Sequence, residues 1–71
     1  MNINLELYKI FYSVATNGSI SKAAEAMNSS QPAVTFQIKN LEEQLNVNLF
    51  IRTKKGTILT DEGKILYNYI K

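Results

Sequence analysis

The sequence predicts a mainly α-helical fold with one small β-hairpin, and three observations predict it. Apolar residues recur at three- and four-residue steps over four separate stretches, the period of an amphipathic helix. One stretch, 49–59, breaks that period with two short β-prone runs on either side of a Lys-Lys-Gly turn. The length of 71 residues fits one small domain and leaves no room for a second.

The first helix is expected over 5 to about 16, with Leu5, Tyr8, Phe11, Val14 and Ala15 at helical spacing. Asn4 is placed to cap its start, and Glu6 lies in the first turn, where the helix dipole favours an anion. Asn17-Gly18 supplies a left-handed stop. Ile10 and Tyr12 widen the apolar stripe, so this helix is expected to be covered on more than one side. The second helix is expected over 19–27, with Ser19 as cap and Ala23, Ala24 and Met27 on one face. Its paired alanines allow another helix to approach closely. At about two turns it cannot stand alone.

Asn28-Ser29-Ser30 makes the next turn. Ser30 or Ser29 caps a third helix over 31 to about 45, and Pro32 falls in its first turn, where a missing N–H costs nothing. Val34, Ile38, Leu41 and Leu45 form its inward stripe. The opposite face carries Pro32, Phe36, Lys39 and Asn40, flanked by Ala33 and Thr35, with Gln31 and Gln37 at its edges. Its first two turns are nearly uncharged, whereas a face that meets only solvent normally carries Lys and Glu there.

A hairpin follows over 49–59, with Gly56 at the position needing positive φ. Thr60 caps the last helix, whose first turn holds Asp61 and Glu62. Ile65, Leu66, Tyr69 and Ile70 follow as i,i+4 pairs, with Tyr67 beside them. Gly63 inside this helix is unfavourable by roughly 1 kcal/mol relative to Ala, and a close helix contact is the expected reason. The apolar pattern runs to Lys71 without a cap, which leads us to expect that the natural chain continues.

Composition narrows the functional classes. With 45% apolar and 20% charged residues, the chain has the balance of a globular domain and not a disordered one. It has no cysteine and no histidine, which excludes disulfides, the usual Cys/His zinc sites, cysteine nucleophiles and histidine-based triads. Its six carboxylates form no pair with an evident pocket, so no enzyme, catalytic residue, cofactor or metal is expected. No apolar run approaches the roughly 20 residues that span a bilayer, and Met1-Asn2-Ile3-Asn4 is not the start of a signal peptide. A soluble, unexported, cytoplasmic chain is expected, with no membrane partner.

The net charge of +2 is small, but it is unevenly spread. Glu6 and Lys9 balance in the first segment, and 19–48 carries a slight acidic excess. From Leu49 onward Arg52, Lys54, Lys55, Lys64 and Lys71 face only Asp61 and Glu62. A basic cluster around one turn suits contact with phosphate, although a solvated hairpin tip would look the same on charge alone. The order helix, helix, tight turn, helix, hairpin, helix is that of a winged helix-turn-helix. In that architecture the helix after the turn can enter the DNA major groove, about 12 Å wide, while the hairpin touches the backbone or minor groove.

Leu5-x2-Tyr8-x2-Phe11-x2-Val14-Ala15, Gly18-Ser19-Ile20-Ser21-Lys22-Ala23-Ala24, Ser30-Gln31-Pro32-Ala33-Val34-Thr35-x-Gln37-Ile38 and Leu41-Glu42 resemble the N-terminal domain of LysR-type transcriptional regulators. Leu49-Phe50-x-Arg52 and Leu59-Thr60-x2-Gly63 continue the likeness across almost the whole chain. The resemblance implies a bacterial, cytoplasmic regulator that binds promoter DNA as a homodimer or tetramer. It also implies an effector-binding domain, absent from this chain, through which any small-molecule effector would act. On that pattern 1–60 is the DNA-binding domain, with the helix-turn-helix at about 20–39 and the wing at about 49–59. The segment 61–71 is then the start of a linker helix that pairs with its twin through Ile65, Leu66, Tyr69 and Ile70.

The expected DNA-facing set is Ser30, Gln31, Pro32, Ala33, Thr35, Phe36 and Lys39 on the recognition helix, with Arg52, Lys54 and Lys55 on the wing. Arg52 has a second reading, in which it braces the wing by pairing with a carboxylate such as Glu42. Phe36 also has one, packing on a neighbouring molecule, and a protein-binding winged helix is the alternative function that goes with it. This chain departs from the family pattern at four positions. Phe36 stands where a polar or basic residue is frequent, Thr35 where Ser is usual, and Met27 and Asn46 where Leu and Gly are common.

Overall fold

Three helices pack around one apolar centre, a hairpin leans on the corner between the first two, and a fourth helix closes the side. The computed structural model describes residues 5–71. In chain order the elements are α1 (Leu5–Asn17), α2 (Ile20–Ala26), α3 (Gln31–Leu45), β1 (Phe50–Thr53), β2 (Gly56–Leu59) and α4 (Asp61–Ile70). The expected cap at Asn4 lies outside the described residues. No described helix is long and apolar enough to cross a membrane.

Local chemistry sets most of the boundaries. Ser19, Ser30 and Thr60 each stand in extended backbone and accept, through the side-chain oxygen, the N–H three residues on. Gly18 ends α1 with φ +69°. Asn28 ends α2 with φ +55°, and the Ser29 N–H donates to the Ala24 carbonyl across the left-handed turn, as in a Schellman motif. Asn46 ends α3 with φ +58°, a backbone region that Asn tolerates better than other non-glycine residues. That accounts for Asn in place of Gly there.

The core consists of Leu7, Phe11, Val14, Ile20, Ala23, Ala24, Val34, Ile38, Leu41 and Leu49. The α3 stripe is the expected one, with Leu45 half-buried at its end. The α1 stripe differs from expectation. Leu7, Phe11 and Val14 face the core, while Leu5 is 68% exposed and Tyr8 and Ala15 are half-buried. The reason is that α1 has two apolar faces. Leu5, Tyr8 and Tyr12 border the groove beside Ile70 of α4, and the Tyr12 ring stacks on Tyr67 at 5.4 Å. Covering on two sides was therefore correctly expected. Phe11 and Val14 of the expected stripe are fully buried and Tyr8 packs against the core, so the difference lies at the start of the stripe, where Leu7 and not Leu5 enters.

The two strands pair antiparallel, with Phe50 opposite Leu59 and Thr53 opposite Gly56, leaving Lys54 and Lys55 at the tip. Phe50 packs its ring against Phe11 at 5.2 Å. Gly56 adopts φ +136°, and a Cβ there would lie 2.8 Å from the Gly18 carbonyl oxygen. That carbonyl accepts the Thr57 N–H at 3.1 Å, so the wing is fastened to the α1–α2 corner.

Gly63 does have a close neighbour, but it is not a helix. An added Cβ would sit far inside contact distance of the Leu49 carbonyl oxygen, the backbone just before β1. The same approach is held by the Thr60 N–H donating to that carbonyl and by the Thr60 hydroxyl donating to the Asn48 carbonyl at 2.6 Å.

Candidate nucleic-acid interface

The turn between α2 and α3 fixes where the exposed front of α3 begins. The Ser30 Oγ accepts the Ala33 N–H at 3.2 Å, which closes the cap and occupies one of its two lone pairs. Gln31 donates its side-chain amide to the Ser21 Oγ at 3.2 Å, tying the start of α3 to α2. Among the described residues its side-chain carbonyl oxygen makes no such bond. Pro32 and Ala33 are exposed and pre-set the first turn.

One turn on, Thr35 is half-buried and Phe36 is 68% exposed. Gln31, Pro32, Thr35, Phe36, Lys39 and Arg52 line one open hollow. Five of these six belong to α3, and the sixth reaches in from β1. The hollow is thus a joint product of helix and wing. Lys54 and Lys55 are exposed at the hairpin tip and do not line it.

Arg52 corrects one expectation. Its guanidinium donates to the Thr35 Oγ1 at 2.9 Å and does not pair with Glu42. The Glu42 carboxylate is engaged elsewhere, accepting the backbone N–H groups of Leu49 at 2.6 Å and Phe50 at 3.3 Å. Strand geometry explains why Arg52 faces α3 at all, and the engagement of Glu42 by the β1 backbone leaves Thr35 as its partner. Successive side chains alternate between faces, so Arg52 lies on the same face as Phe50, which is turned toward the helices. That alternation was available in the sequence. The roles of Ser21 and Glu42 were not, because each depends on backbone or side chains brought in from another element.

The expected pairing residues of α4 separate into two kinds. Ile65 and Tyr69 are 71% and 86% exposed. Leu66 and Ile70 are half-buried and pack against the domain's own core.

A capped helix following a tight turn, with its nearly uncharged first two turns open beside a basic two-stranded wing, defines a winged helix-turn-helix domain. Residues 5–64 match the family model described as bacterial regulatory helix-turn-helix protein, lysR family. The chain belongs to the LysR family. It is 51% identical over 61 residues to the HTH-type transcriptional regulator YofA of Bacillus subtilis, spanning 86% of this chain and 21% of that protein. It is 42% identical over 69 residues to the nitrogen assimilation regulatory protein nac of Escherichia coli, spanning 97% of this chain and 23% of that protein. Among solved structures it is similar to a BenM_DBD/catB site 1 DNA complex, with a TM-score of 0.90 and 34% identity. That likeness covers 94% of this chain and 74% of the other. The chain spans about a fifth of the length of the curated relatives it matches.

Proposed function

We propose that this chain is the sequence-specific double-stranded DNA-binding domain of a bacterial LysR-type transcription regulator, and that it has no catalytic role. The recognition helix α3 enters the major groove, and the wing meets the backbone or minor groove. The observation that carries this reading is the open front of α3, lined by amide, hydroxyl, aromatic and cationic groups, with Arg52 of the wing in the same hollow. Amides and hydroxyls suit base edges, and Lys39, Arg52, Lys54 and Lys55 suit phosphates. The likeness to a domain solved on DNA supports the same assignment.

In this reading 1–60 is the DNA-binding unit and 61–71 begins a linker helix. Two copies pair through α4, using Ile65 and Tyr69 first, and place their recognition helices in successive major grooves about one helical turn, roughly 34–36 Å, apart, or with an added bend between them. In this reading the full-length protein is a homodimer for which a tetramer is also open, any small-molecule effector acts only through a C-terminal domain absent from this chain, and the location is cytoplasmic.

Titrating the chain with duplex DNA at several salt concentrations tests the proposal. Affinity should fall by about 0.9 log units per log unit of salt for each phosphate neutralised. Flat salt dependence overturns it. Replacing Lys54 and Lys55 by Ala should weaken binding to all sequences alike and flatten the slope by roughly 2. A module that binds only protein would be indifferent to that change.

A further inference from the structure

Asn17 and Gly18 form the corner between α1 and α2, and both are exposed. Among the asparagines of the chain, Asn17 alone precedes a glycine. That pair carries a chemistry of its own. The backbone nitrogen of the following residue can attack the asparagine side-chain carbonyl carbon, and glycine, with no Cβ, obstructs the attack least. The new C–N bond closes a five-membered succinimide as the side-chain nitrogen leaves as ammonia. Water then opens the ring at either carbonyl. One opening leaves aspartate, and the other leaves isoaspartate, in which the main chain runs through the former side chain. Water is consumed and ammonia released, and no other reactant is needed.

The fold ties down both reacting groups. The Gly18 N–H donates to the Val14 carbonyl at 2.9 Å, and the nitrogen must give up that bond before it can attack. The Asn17 side-chain amide donates to the Ser13 carbonyl at 2.7 Å and to the Ser13 hydroxyl oxygen at 3.3 Å, which binds it to the preceding turn of α1. The same corner also carries the wing. The Gly18 carbonyl accepts the Thr57 N–H at 3.1 Å, and Gly56 lies so near that an added Cβ would sit 2.8 Å from that oxygen. Isoaspartate at 17 inserts a carbon into the main chain directly before Gly18, about 1.5 Å of extra length. That displacement is enough to take the Gly18 carbonyl out of hydrogen-bond range of Thr57.

We propose that Asn17–Gly18 is a self-modification site guarded by the fold. It reacts when the α1–α2 corner opens, and the isoaspartate that results unfastens the wing from that corner. The site lies apart from the DNA-facing surface, so its test needs no DNA and stands or falls separately from the DNA-binding reading.

The chain is incubated at neutral pH with and without denaturing urea, and mass spectrometry follows the conversion of the Asn17 amide to a carboxylate. The folded chain should react about thirtyfold more slowly than the unfolded one, the combined effect of two hydrogen bonds that must first break. Asn17→Gln should stop the reaction in both, because the six-membered imide it would need closes far more slowly. The isoaspartate form is then separated, refolded and compared with the parent by hydrogen exchange. The Thr57 N–H is given to Gly18 and not across the hairpin, so its exchange reports on the joint between corner and wing. It should exchange about fivefold faster in the isoaspartate form, while the Ile38 N–H inside α3 stays as protected as in the parent. Asn17→Asp brings the same charge with an ordinary main chain and should keep the Thr57 N–H protected.

Equal reaction rates with and without urea overturn the proposal, since the fold then guards nothing. An isoaspartate form whose Thr57 N–H remains fully protected overturns it as well. So does loss of protection in Asn17→Asp, which assigns the effect to charge, or at Ile38, which assigns it to the whole domain.

Discussion

Gly63 is the residue at which one added carbon does the most damage. A Cβ there collides with the Leu49 carbonyl oxygen and lies 2.9 Å from the Leu59 side chain, and the Thr60 N–H bond to that same carbonyl holds the two backbones together. Gly63→Ala is expected to destabilise the domain by about 3 kcal/mol or more, despite Ala's better helix propensity. Urea unfolding checks it. Gly18 is the contrasting case. Nothing lies within 4 Å of an added Cβ, and only its φ of +69° resists substitution, so Gly18→Ala should cost about 1–2 kcal/mol. Glu42 is a third residue whose work is structural, since its carboxylate collects two N–H groups at the start of β1. Glu42→Ala leaves those donors without a protein acceptor and should cost about 1–3 kcal/mol by the same measurement.

Among the elements, α3 serves two surfaces at once. Val34, Ile38 and Leu41 hold it in the core, and the hollow around Phe36 occupies the other side. Its geometry is set at the N-terminus by the Ser30 cap and the Gln31–Ser21 bond. Ser30→Ala is expected to lower stability by about 1 kcal/mol and to weaken duplex binding as well, measured by unfolding and by DNA titration of the same sample. The wing is a dependent element. A lone two-stranded hairpin is marginal in water, and this one is held by Phe50 on Phe11, Thr57 on Gly18 and Arg52 on Thr35. Element existence and the caps at Ser19, Ser30 and Thr60 were legible in the sequence because caps and periodicity are local properties. Phe11 and Val14 were legible as inward residues of α1, but whether Leu5 or Leu7 begins that stripe was not. The helix's two apolar faces compete on equal terms until α4 takes one of them.

For the whole molecule, the exposed remainder of α4 sets apart the domain's own stability from its assembly. Leu66 and Ile70 contribute to the core, whereas Ile65 and Tyr69 stand free of it in this single chain. Ile65→Asp with Tyr69→Asp should leave the unfolding midpoint within a few degrees of the parent at a concentration where the chain is monomeric. The same pair should shift any self-association to higher concentration, as read by analytical ultracentrifugation. Leu66→Asp should instead unfold the domain, because it buries a charge against the core.

The amino-acid sequence by itself determined the element order, the three capped helix starts, the polar front of α3, the basic tip at Lys54 and Lys55, and the family. All of these rest on short-range spacing and on residue types whose effect is felt within a few positions of the chain. Only the tertiary structure decided that Arg52 holds Thr35 and not Glu42, that Gly63 makes room for the Leu49 carbonyl, and that Leu7 and not Leu5 enters the core. Each of those outcomes depends on which distant groups arrive within about 3–4 Å, the range over which hydrogen bonds and packing act. Sequence spacing alone carries no information at that distance.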